Sequence, residues 1–162
     1  MLVVRRLRVA GRPRVTPMDY SFASCFVDTV DPLLVAELQG QWPRLRARKL
    51  WFPITGYFLR FPDRRHHRPD GEAEAILNQQ RAASKRIPEI SANHPEVNFL
   101  WVEVDCAGGT SLYSGYHCRH GQMIYAESVP VRSPGRLFAS LSTSLGDDQL
   151  LQQFTRIISW FS

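Results

Sequence analysis

Lysine is almost missing from this chain: arginine stands at eighteen positions and lysine at two, Lys49 and Lys85. Proteins that grip nucleic acid over a broad face ordinarily use both cations, lysine serving as a point charge on phosphate. The imbalance therefore reads as the codon usage of a G+C-rich bacterial gene. Cysteine is scarce as well. Cys25, Cys106 and Cys118 form no CxxC pair and no zinc spacing, which excludes a disulfide framework and a thiolate metal centre. An odd count reads as reduced, buried thiols. No apolar run nears the roughly 20 residues a membrane helix needs. The arginine-studded N-terminus lacks the apolar stretch and small-residue cleavage site of a secretory signal. A cytoplasmic location is the expectation. There is no repeat, no low-complexity tract, no domain linker and no lysine-bearing glycine loop ahead of a helix. Neither a metal nor a cofactor is expected.

What remains is the composition of one globular domain: 162 residues, 44% hydrophobic and 22% charged, long enough to bury a core. The net charge of +5 is unevenly placed. Residues 1–17 carry Arg5, Arg6, Arg8, Arg12 and Arg14 with no acid, while residues 18–162 hold fifteen basic and fifteen acidic side chains. The arm, residues 1–17, reads either as an edge strand through "LVVRRLRVA" or as an over-extended start ahead of Met18. Residues 18–162 form the single domain.

Alternating Tyr20, Phe22, Ser24 and Phe26 predict a strand over 19–29. Asp31 then caps a helix opened by Pro32 and ended by Gly40 and Pro43. The aromatic stretch 49–61 is broken by Pro53 and Gly56, so it is an edge strand, a bulged strand or two short ones. After the polar loop 62–71, residues 72–87 form a largely solvated helix that Pro88 terminates. Strands follow at 97–106, 110–119 and 122–131, joined by Ala107-Gly108-Gly109 and by His120-Gly121, connections short enough to force antiparallel pairing. A helix over 135–145 opens at Ser133-Pro134. The clearest amphipathic helix spans 149–161, where Leu150, Leu151, Phe154, Ile157, Ile158 and Phe161 share a face. The fold class is α+β: a twisted antiparallel β-meander of four to six strands with helices packed mainly on one face.

"VEVDCAGGTSLYSGYHCRHGQ", residues 102–122, concentrates the chemistry. If Cys106 pairs with Thr110, then Leu100, Val102, Val104, Leu112, Tyr116, Cys118, Met123, Tyr125 and Val129 line a core face. Phe99, Trp101, Glu103, Asp105, Tyr113 and His117 then line the other. A slip of one residue would swap these sets. Aromatic residues beside charges suit a partner surface, so Trp101, Glu103, Asp105, Tyr113 and His117 are the candidate binding residues: acids to steer, aromatics to anchor. No catalytic residue is assigned. The alternative is a small enzyme or ligand-binding domain in which Glu103, Asp105 and His117 converge in a pocket. A second alternative is nucleic-acid binding through the arm with Arg44, Arg46, Arg48 and Lys49. "CAGGTS" joins two strands and has no lysine near, so it reads as a turn. "RRHHR", 64–68, reads as a solvated loop.

Residues 99–124, with Trp101, Glu103, Asp105, Gly108, Gly109, Gly115 and Gly121, resemble a class of small bacterial immunity-type proteins that accompany polymorphic toxins. Cys106-Ala107 stand where such proteins more often carry an aromatic. The resemblance covers about thirty residues and implies a non-catalytic α+β protein that neutralises a toxin or effector by binding it, with a protein partner and no membrane.

Overall fold

The computed structural model describes residues 20–51, 55–64 and 71–141, together with residues 149, 152, 153, 156 and 157 near the C-terminus. The arginine-rich arm, the histidines of "RRHHR" and most of the proposed 149–161 helix lie outside the described residues. Among the described residues, the complete elements are six strands and three helices, in the order β1 (Tyr20–Val27), α1 (Pro32–Gln41), β2 (Arg46–Leu50), β3 (Gly56–Arg60), α2 (Glu72–Asn93), β4 (Asn98–Ala107), β5 (Thr110–Arg119), β6 (Gln122–Val131) and α3 (Gly135–Ala139). The sheet order is β2-β3-β1-β4-β5-β6, every pairing antiparallel. The fold is α+β, a single domain built on one antiparallel sheet. Stretch 49–61 resolves into parts of two short strands, with β2 on the edge.

Both sheet faces are covered. On one, Ala23, Cys25, Val27, Leu59, Phe99, Trp101 and Cys118 pack beneath α1 and α2, which contribute Leu34, Val35, Leu38, Ala83, Ile87 and Ile90. On the other, Phe22, Phe26, Leu50, Phe58, Leu100, Val102, Val104 and Tyr113 pack beneath α3 and Ile157. Each large side chain so enclosed stabilises by roughly 1.5–3 kcal/mol. Asp31 caps α1 as its sequence position indicates, its Oδ1 accepting from the Leu33 backbone N–H at 2.9 Å.

Helix α2 corrects one expectation: it runs through Pro88 to Asn93. Proline has no N–H, so the carbonyl four residues back, Ser84, loses its helical donor. Tyr116 on β5 donates its hydroxyl to that carbonyl at 2.5 Å. Ser91 then bonds the Pro88 carbonyl, and its Oγ accepts the Gly121 backbone N–H at 2.8 Å. The sheet thus repairs the helix where proline damages it, a long-range contact invisible to local pattern.

The register of β4 on β5 is a second correction. Ala107 pairs with Thr110, leaving Gly108-Gly109 as a two-residue turn with both φ values positive, +58° and +80°. Such turns match the twist of the flanking strands better than the three-residue loop inferred from sequence. The one-residue shift moves Tyr113 and His117 to the face opposite Trp101, Glu103 and Asp105. On β6, Arg119↔Gln122 and Cys118↔Met123 pair as expected, but irregularities follow and His117 meets Tyr125. The supposed core members Met123 and Val129 are exposed.

None of the three cysteines forms a disulfide, and all three are buried. Burial holds the Cys25 thiol well above its ordinary pKa and pushes Cys118 up to about 11. Because the thiolate is the reactive form, iodoacetamide at neutral pH should leave Cys25 and Cys118 unmodified in the native protein and alkylate them in urea. Rapid native labelling of either residue, read by mass spectrometry, would contradict this packing.

Candidate functional site

The structure divides the sequence-predicted residues into two groups. Trp101, Glu103 and Asp105 alternate along β4 on the α2 side. Trp101 is fully buried and donates its Nε1–H to Glu103 Oε1 at 3.0 Å. Glu103 and Asp105 are exposed, Asp105 beside Ala73, Glu74 and Leu77 of the first turns of α2. Tyr113 and His117 lie buried on the α3 side. Burial raises the Tyr113 phenol above its ordinary range, working against a hydrogen bond with Ser111.

His117 belongs to a hydrogen-bonded chain. Asn98 donates its backbone N–H and its Nδ2–H to the two oxygens of Asp28, each at 2.6 Å. That fixes the amide so that Asn98 Oδ1 accepts from His117 Nε2 at 2.8 Å. The imidazole therefore carries a proton on Nε2, while the Ser140 backbone lies near enough to the buried ring to favour its protonation. Burial depresses the His117 pKa, against the opposing pull of Asp28. Folding thus favours the neutral ring. Its contribution is fully present above the ordinary value of 6.5 and is lost as pH falls from there through the lower folded-state value. The urea midpoint of the wild type should drop between about pH 7.5 and pH 5.5 by more than that of His117→Gln. Equal drops would remove His117 as the cause.

Glu103, Asp105 and His117 do not converge, since the sheet separates the acids from the ring. Asp105 instead lines a cleft of about 400 Å³ with Ser21, Arg64, Ala73, Glu74 and Leu77, between the start of α2 and the β1–β4 ladder. Asp105 faces Ser21 across that ladder. Ser21 is held on three sides. Its N–H donates to Asp63 Oδ1 at 3.0 Å, its carbonyl accepts from the Arg64 N–H at 2.8 Å, and its Oγ accepts from Arg64 Nη2 at 2.5 Å. Sequence pattern missed this group. Arg64 sits in what reads as a solvated loop, and only the β1–β4 register brings Ser21 to Asp105. Among the described residues, no cluster of three histidine, cysteine or acidic side chains is arranged to hold a metal ion.

The β6 edge is the other exposed feature. Met123 and Ile124 are each 54% exposed and Val129 70%, and Leu112 on neighbouring β5 is exposed too. The one acid of this strand, Glu127, accepts from the Tyr125 hydroxyl at 2.9 Å. No helix among the described residues is long and apolar enough to cross a membrane. No protein-family model, no curated protein and no solved structure matches the chain.

Proposed function

We propose that the chain is a non-catalytic protein-binding domain of the inhibitor or immunity kind, which holds a toxin or effector protein along its β5–β6 side in the bacterial cytoplasm. The observation that carries this reading is the contrast between the two sheet edges. Strand β2 is five residues long and includes Arg46, Arg48 and Lys49; short length and cationic side chains blunt an edge against pairing. Strand β6 is ten residues long, holds a single charged residue, Glu127, and presents Met123, Ile124 and Val129 to solvent. A long, largely apolar edge with no cationic side chain, interrupted by proline only at Pro130 near its end, suits addition of a partner's strand along its first part, with main-chain hydrogen bonds giving affinity. Exposed Glu103 and Asp105 favour approach of a basic partner surface. Trp101, Tyr113 and His117 serve this surface from below, by fixing β4 and β5.

Affinity capture of the tagged chain from a lysate of its source organism, compared with an Ile124→Lys/Val129→Lys variant, tests the reading. The wild type should retain one protein in near-stoichiometric amount and the variant about tenfold less. A partner held equally by both would move the contact off β6. No retained protein at all would contradict the binding role.

A further inference from the structure

We propose that the cleft between the start of α2 and the β1–β4 ladder binds a free α-amino acid with an apolar side chain. The site lies apart from the β6 edge and does not rest on the protein-binding reading. Its volume of about 400 Å³ falls in the range of small-molecule sites, roughly 300–1,000 Å³.

The polar inventory identifies the ligand. Arg64 is half-buried, and its guanidinium bonds the neutral Ser21 hydroxyl through Nη2. Its Nε is buried with no hydrogen-bond partner, and no ion pair joins Arg64 to a carboxylate among the described residues. The buried Nε thus leaves one donor of this half-buried guanidinium unmet. A carboxylate, planar and offering two acceptor oxygens, is its natural complement. The other charged lining residues are acids: Glu74 from the first turn of α2, and Asp105 across the ladder from Ser21. They suit an ammonium group. Ala73 and Leu77, four residues apart on one helical face, supply an apolar strip. A simple anion would meet two carboxylates here, and a simple cation would meet Arg64. A molecule bearing carboxylate, ammonium and apolar side chain together matches the charge and the apolar strip of this lining.

Backbone-amide NMR titration of the full chain with L-leucine, L-valine, L-methionine and L-phenylalanine tests this, beside N-acetyl-L-leucine, which lacks the ammonium, and L-leucinamide, which lacks the carboxylate. At least one free amino acid should bind saturably below about 20 mM, shifting the signals of Ser21, Ala73, Leu77 and Asp105. The two blocked derivatives should bind at least about tenfold more weakly, and Arg64→Gln and Asp105→Asn should each weaken binding to a similar degree. Ile124→Lys should leave it unchanged. Saturable binding by none of the four, or equal binding of the blocked derivatives, would overturn the proposal while leaving the β6 reading intact.

Discussion

Gly115→Ala should remove much of the chain's stability and bring its unfolding midpoint far below that of the wild type. A Cβ built at Gly115 lies 2.0 Å from the Trp101 carbonyl oxygen and 3.1 Å from Val102 Cα. These are backbone atoms of β4, so no side chain can swing aside. Relief requires β5 to separate from β4 by roughly 1 Å or more, in a ladder held by backbone hydrogen bonds. It would have to do so beside an irregularity in the β5–β6 pairing, between Tyr113 and Gly115. The cost is on the order of 4 kcal/mol, against a total domain stability of roughly 5–15 kcal/mol. Gly108→Ala is the informative comparison. Its Cβ meets nothing within 4 Å, and only its φ of +58° resists substitution, a cost of about 1–2 kcal/mol. Urea unfolding followed by tryptophan fluorescence should place the Gly115→Ala midpoint far below that of Gly108→Ala. Equal midpoints would contradict the close strand approach.

Tyr116→Phe should cost about 1–3 kcal/mol, the penalty for leaving a buried carbonyl without a donor. The test that isolates the cause is a double-mutant cycle with Pro88→Ala. Alanine at 88 restores an N–H that can reach the Ser84 carbonyl, so the tyrosine hydroxyl becomes dispensable. The loss on Tyr116→Phe should therefore shrink by at least about 1 kcal/mol in the Pro88→Ala background. Burial raises the Tyr116 phenol far above its ordinary pKa, so the hydroxyl remains a donor across the accessible pH range. An unchanged loss in the alanine background would mean that Tyr116 stabilises by packing alone.

Much of the sheet is legible in the chain because hairpin chemistry is local. His120-Gly121 and Gly108-Gly109 announce their turns, and the strands flanking them fall within one residue of their expected limits. Register is harder. Whether Ala107 belongs to the turn or to the strand is decided by one residue of loop length, and that choice sends Tyr113 and His117 to the other face. The extension of α2 past Pro88 rests on Tyr116, twenty-eight positions away. The cleft was beyond reach for the same reason: Ser21, Arg64, Glu74 and Asp105 come from four segments, and nothing local in any of them signals the others. Exposure of Glu103 and Asp105, by contrast, agrees with their charge, which is costly to bury unpaired. The aromatic character of Trp101 and Tyr113 proved to mean burial, as it does for most large rings.

The central proposal is that β6, a sheet edge among the described residues, takes a partner's strand, and hydrogen–deuterium exchange on the chain alone and with its captured partner tests it most directly. Amides of an edge strand that face away from the sheet exchange freely until another strand accepts them. Addition of the partner should slow exchange within 122–131 by at least about tenfold, leaving β2 unaffected. Protection confined to β2 or to α1, with β6 amides exchanging as in the free chain, would contradict the account.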